Sequence, residues 1–343
     1  MLMFIFLTFN LDGENIIEEN SDIEAPDLVK LTPVQEIQES TKAKTKQGLP
    51  KKLLSPQGQF QVSQIHQCEI KVDAEVINNI RYTLSSFAQE MALQSSTHTL
   101  GNKLKVNVIS ANFKKATIDK WLEKVNIILS VYNELFDLKL TEALVIYLVI
   151  LPDIESYHDV LASLSIDSSD SQGKYLSNSN FSFVAYRDEK QIGKTVAHEL
   201  VHAINHALLG FHARWLNEGL AEYFKNIEYT KQDDVFEVSL DNYSRKKLPA
   251  PFSIADLVYA EQDWAPSKID PTQRSRLYLS AKDHISYMVE FMDEANVVKQ
   301  LMAEERKDRC SELSASEYLQ IIEKDTLYFS ETFDDWFSSK PEK

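Results

Sequence analysis

The 343-residue sequence predicts an α+β protein: strands and helices intermingle up to about residue 250, and helices alone follow. Two segments carry that reading. Residues 143–151 form a nearly continuous β-branched and apolar run closed by Pro152, the pattern of a buried strand. Residues 117–136 place Trp121, Val125, Ile128, Leu129 and Tyr132 on one face of a helix.

Taken in order, residues 72–91 have helical spacing through Val76, Ile80, Leu84 and Phe87, and residues 103–109 alternate as a strand. After the strand at 143–151, a short helix is expected over 154–164. The Ser-, Asp- and Asn-rich stretch 165–180 reads as a loop, and residues 181–186 (FSFVAY) read as a further strand. A helix over 192–209 stops at Gly210, a residue suited to the position just past a helix end, and a second helix over 213–227 follows a very short turn. Helical patterns then recur at 253–259, 274–292, 295–304 and 315–323, and an aromatic-rich piece ends near Trp336 and Phe337. No internal repeat is visible.

Composition narrows the function. A hydrophobic share of 43% beside 26% charged residues is that of a soluble globular chain, and a net charge of −16 argues against a nucleic-acid partner or general adhesion to anionic lipid. Cys68 and Cys310 stand far apart with no CxxC spacing, which excludes a cysteine-based metal site and leaves either one disulfide or two separate thiols. Residues 1–9 (MLMFIFLTF) are too short to span a bilayer and read as the remnant of a signal peptide or anchor, a reading that implies an extracytoplasmic, periplasmic or secreted location with a membrane tether through the N-terminus. Residues 10–60 lack a sustained apolar period, begin acidic and turn basic, and so read as a disordered linker. Residues 61–250 form the expected α+β domain and residues 251–343 its helical C-terminal part.

The chemistry concentrates at Thr195-Val196-Ala197-His198-Glu199-Leu200-Val201-His202. On a helix the two histidines of H-E-x-x-H stand at i and i+4, one above the other, so both imidazoles can reach a single ion. Neutral imidazole suits zinc, and Glu199, beside that stripe, can take a proton from a water polarised by the ion. A catalytic zinc usually holds three protein ligands, and Trp215-Leu216-Asn217-Glu218-Gly219-Leu220-Ala221-Glu222-Tyr223 supplies the third as Glu218. Sixteen positions separate His202 from Glu218, room for the first helix to end, turn and send a second helix back past it. Gly219 removes a side chain where helices pack closely, and Glu222, one turn on, can hold the free N–H of a ligand histidine. His206 continues the stripe but lies about 12 Å from His198 along the axis, too far to share one ion with it. His212, in the turn between the helices, reads as a surface or capping residue, and His66, His98, His158 and His284 have no ligand spacing.

H-E-L-V-H followed by W-L-N-E-G-L-A-E-Y resembles the gluzincin zinc metallopeptidases, the peptidase MA-like families related to aminopeptidase N and thermolysin. The match is specific over residues 181–227. It implies Zn²⁺ held by His198, His202 and Glu218, with Glu199 as catalytic base and proton shuttle. It also implies a small mixed sheet whose edge strand precedes the H-E-x-x-H helix and pairs with an extended peptide or protein substrate. By position, residues 181–186 are the expected edge strand. In such families a tyrosine on a later helix donates to the developing oxyanion, which points to Tyr278, with His284 second. No G-x-M-E-N-type motif precedes the helix, so a compact gluzincin fits better than an aminopeptidase. The expected function is hydrolysis of peptide bonds. The alternatives are a non-catalytic binding module on the same fold and a zinc hydrolase of a non-peptide amide.

Overall fold

In the computed structural model, described residues are 6–10, 73–111, 113–169, 171–232, 235–239, 250–260, 264, 270–290, 296–324 and 329–340. The expected linker, residues 10–60, falls outside them apart from Asn10, and the pairing of Cys68 with Cys310 depends on a residue outside them. The chain divides into residues 11–64, none of them described, and a unit made of the remainder.

A five-stranded sheet organises that unit. Its order is β2 (Gln94–Leu100), β3 (Leu104–Ser110), β4 (Leu144–Leu151), β6 (Phe181–Ala185) and β5 (Gly173–Leu176). The three central strands run parallel, while β2 and β5 lie antiparallel at the edges. The apolar run of β4 is explained by burial on both faces over residues 148–151, while Val145 nearer its start is exposed. Leu144, Ile146, Leu148 and Ile150 join the core beneath α2 (Lys115–Phe136) and α4 (Glu189–Leu209). Val149 and Leu151 join a second core with α1 (Ala74–Ala88) and α3 (Ile154–Ser163). A strand enclosed in this way carries no polar alternation.

Two expectations are corrected here. The strand expected at the edge, β6, is interior, flanked by β4 and β5 and buried along its whole length. The edge is β5, inside the stretch expected to be a loop. Its four residues are all half-buried, so no apolar period marks it, and only its pairing with β6 makes it a strand. The edge strand still precedes the H-E-x-x-H helix, in a small mixed sheet.

Residues 6–10, from the apolar N-terminal stretch, form β1 (Phe6–Asn10), which pairs antiparallel with β8 (Val235–Ser239); β8 pairs in turn with β7 (Glu228–Gln232). After α5 (Arg214–Phe224) and this small sheet come α6 (Ile254–Tyr259), α7 (Pro271–Glu290), α8 (Asn296–Glu305), α9 (Ala315–Lys324) and α10 (Phe329–Ser339). The C-terminal part is thus mainly helical. No helix among the described residues is long and apolar enough to cross a membrane.

His284 of α7, second choice for the oxyanion donor, is a core residue. Its ring stacks on Phe333 at 4.0 Å, its Nε2–H donates to the Phe252 carbonyl at 2.9 Å, and its Nδ1 is buried without a hydrogen bond. Burial lowers its pKa to about 4. The unfolded chain, with an ordinary value near 6.5, binds the proton first, so this contribution to stability is lost as the pH falls from about 6.5 towards 4. The loss amounts to about 3 kcal/mol at most. Urea unfolding at pH 7 and pH 4.5 should show it, and His284→Gln should reduce the difference between the two midpoints; an equal difference in wild type and variant would contradict this assignment.

Candidate metal centre

The helix that carries the site is capped at its start by Asp188, whose carboxylate accepts from the Gln191 N–H at 2.8 Å, and it ends at Gly210. It is buried between the sheet, α2 and α5. The turn into α5 is fixed from outside: the Phe211 N–H donates to the Arg309 carbonyl and the Ala213 N–H to the Tyr318 hydroxyl. On α5, Gly219 does what its sequence position suggests. A Cβ there would come within 2.8 Å of Ile285 Cγ1 and 2.9 Å of the Ala281 carbonyl oxygen on α7. Its neighbour Glu218 meets α4 instead.

Three side chains converge there. His198 Nε2 and His202 Nε2 are 3.1 Å apart, and Glu218 Oε2 lies 3.4 Å from each. An ion with tetrahedral arms of about 2.0–2.1 Å needs donor atoms about 3.3–3.4 Å apart. The two sides that meet Glu218 match that requirement, and the His198–His202 side, at 3.1 Å, is slightly shorter. At 3.4 Å the carboxylate makes ion-pair contacts rather than hydrogen bonds, so Glu218 Oε2 is buried with no hydrogen bond. Buried polar atoms rarely stay unpaired, and a cation between these three would satisfy them together. His198, His202 and Glu218 can therefore hold a metal ion, and the donor set, two imidazoles and one carboxylate, is one that zinc accepts.

The local electrostatics favour a cation. Burial disfavours the charged form of His202, but the negative charge of Glu218, with that of Glu199, outweighs it and raises the pKa to about 9. Burial likewise opposes ionisation of Glu218, yet the His202 and His198 imidazoles hold its carboxyl well below the usual range. Glu199 is 5% exposed, and burial pushes its pKa up against the pull of the two histidines. Two buried carboxylates facing two imidazoles demand positive charge.

Around this triangle, Glu222 Oε1 sits 3.4 Å from His198 Nδ1 and is paired with Lys225. The support of His202 comes from residues that the sequence reading did not single out. Its Nδ1–H donates to Asn217 Oδ1 at 2.9 Å; the same oxygen accepts from Asn205 Nδ2, and Asn205 Oδ1 accepts from the buried Tyr132 hydroxyl at 2.6 Å. That pattern makes Nδ1 a donor and turns Nε2 towards the centre of the triangle. A signal was available: Asn217 adjoins Glu218, and Asn205 stands three residues after His202, about one helical turn on.

The triangle opens into a cleft of about 860 Å³. Glu199 and Tyr278 both line it, and the Tyr278 O–H donates to Glu218 Oε1 at 3.3 Å. The Glu218 charge, then burial, raises the Tyr278 pKa, so the phenol keeps its proton. The edge strand β5 closes the other side. A Cβ on Gly173 would stand 2.8 Å from Glu199 Cγ and Cδ and closer still to Oε1, so glycine there leaves the space the carboxylate occupies. The remaining described histidines lie outside the triangle: His98 bonds Asp119 and Ser96, His158 bonds Ser168, and His212 Nδ1 donates to the Gly210 carbonyl. His66 falls outside the described residues.

Neither a family model nor a curated protein matches this chain. Among solved structures, 71% of the chain aligns with 28% of Legionella pneumophila aminopeptidase A in complex with aspartic acid, at 12% identity and a TM-score of 0.41. The same share aligns with 51% of a two-domain M1 zinc metallopeptidase mutant bound to L-arginine, at 12% identity and a TM-score of 0.35. The chain thus spans between about a quarter and half the length of these two proteins.

Proposed function

We propose that this protein is a zinc-dependent metallopeptidase of the gluzincin type. The observation that carries the proposal is the triangle of His198, His202 and Glu218, with donor spacings suited to a tetrahedral ion, beside the buried carboxylate of Glu199 in an open cleft. Zinc held there supplies Lewis acidity and lowers the pKa of water at its open position.

The chain's own groups then have distinct tasks. Glu199, made more basic by burial, accepts the proton of the attacking water and passes it to the leaving amine. The Tyr278 O–H, kept protonated, donates to the oxyanion that develops on the attacked carbonyl. Asn217 holds His202 by a hydrogen bond, and Glu222 faces His198 Nδ1 as an ion-pair partner, so that both Nε2 atoms are presented to the ion. The open edge of β5 offers main-chain hydrogen bonds to an extended peptide.

Digestion of a mixed peptide library tests this reading. Cleavage should stop on chelation and return with added zinc; a library left intact by zinc-loaded protein sinks the proposal. Gly173→Ala offers a finer check. Its methyl must displace the Glu199 carboxylate, and a misplacement of about 1 Å costs about 10²-fold in turnover. Metal content should stay at the wild-type level in that variant, and unimpaired turnover would show that Glu199 does not depend on this gap.

A further inference from the structure

One turn of α4 beyond His202 the cleft wall becomes aromatic. His206 meets the ring of Tyr175, on β5, with centroids 6.1 Å apart, and the ring of Phe211, in the α4–α5 turn, also at 6.1 Å; both contacts are edge-on. All three residues line the cleft. Burial, then the charge of His212, lowers the His206 pKa to about 4, so the imidazole is uncharged at neutral pH. Phe211 is 56% exposed, while the other large exposed apolar side chains among the described residues, Tyr82, Val145, Ile154 and Tyr259, stand outside the cleft. Its position is fixed: its N–H donates to the Arg309 carbonyl at 3.1 Å, and Arg309 Nη2 donates to the Ala207 carbonyl at 2.6 Å. An aromatic ring is thus held open to the cleft beside the uncharged His206 imidazole and the Tyr175 ring.

The edge strand sets the register. On β5, Gly173 abuts Glu199 and Tyr175 abuts His206, a separation of two residues or about 6.6 Å along a strand. Two residues is also the repeat at which side chains of an extended chain return to the same face. A peptide laid on the open edge of β5 with one residue at Glu199 therefore brings the side chain two positions along to Tyr175, His206 and Phe211.

We infer that Tyr175, His206 and Phe211 form a subsite for an aromatic or large aliphatic side chain of an extended peptide, two residues from the one seated at Glu199. The inference rests on the peptidase reading above, and binding and cleavage separate the two. Hexapeptides that differ at a single position (Phe, Leu, Ser, Asp or Lys) are titrated into zinc-loaded Glu199→Gln, position by position. At one position Phe and Leu should bind at least about tenfold more tightly than Ser, Asp and Lys, the discrimination a modest apolar pocket provides. Adding Phe211→Ser should collapse that preference. Phe211→Leu should keep it, as should Tyr259→Ser, which alters an exposed aromatic outside the cleft, and thermal unfolding checks that each variant is folded. No binding, no preference at any position, or a preference that survives Phe211→Ser overturns the subsite. Side-chain preference in binding without cleavage by wild type counts against the peptidase reading and leaves the subsite standing. Cleavage by wild type with no side-chain preference removes the subsite alone.

Discussion

Glu199→Gln is expected to leave metal content unchanged and to reduce peptide hydrolysis by about 10²–10⁴-fold, the usual contribution of a positioned general base. The substitution keeps shape and hydrogen-bonding reach and removes only basicity. Glu199 suits this test because it stands outside the ligand triangle and yet shares the electrostatics of His198 and His202. It is also packed against the backbone of β5 at Gly173, so the amide has little freedom to move elsewhere. The check is steady-state turnover of wild type and variant on the same cleaved peptide, with zinc measured in both. Equal turnover would remove Glu199 from the mechanism.

His202→Ala acts at the preceding step. His202 is 8% exposed and supplies one of the three converging donors, with Nδ1–H anchored on Asn217. Loss of an orienting partner typically weakens a metal site about 10–100-fold, and loss of a ligand itself should cost more than that. Zinc affinity in His202→Ala is therefore expected to fall by more than about 10²-fold, and Asn217→Ala, which removes only the anchor, should fall between it and wild type. Competition against a zinc-sensitive dye measures both. Wild-type affinity in His202→Ala would refute the ligand assignment.

What the sequence disclosed depended on how local each signal was. The i, i+4 spacing of His198 and His202 lies within one helix, so it could be read directly. Glu218 required only that a short turn return the next helix, and Gly219, with no room for a Cβ against α7, is the physical trace of that return. The apolar run of β4 announced its two-sided burial. The edge strand was illegible for the opposite reason: Gly173–Leu176 has no apolar alternation, and its strand character comes from non-local pairing with β6. β2 is illegible on similar grounds, since its first four residues are exposed polar side chains. The polar chain from Tyr132 through Asn205 and Asn217 to His202 joins three helices, and no linear spacing encodes it.

The central claim is that His198, His202 and Glu218 form a zinc site, and the zinc content of the purified protein tests it most directly. Elemental analysis after equilibration with zinc should give one ion per chain in wild type and close to none in His202→Ala. Wild-type protein that stays metal-free, or a variant that binds zinc as wild type does, would contradict it.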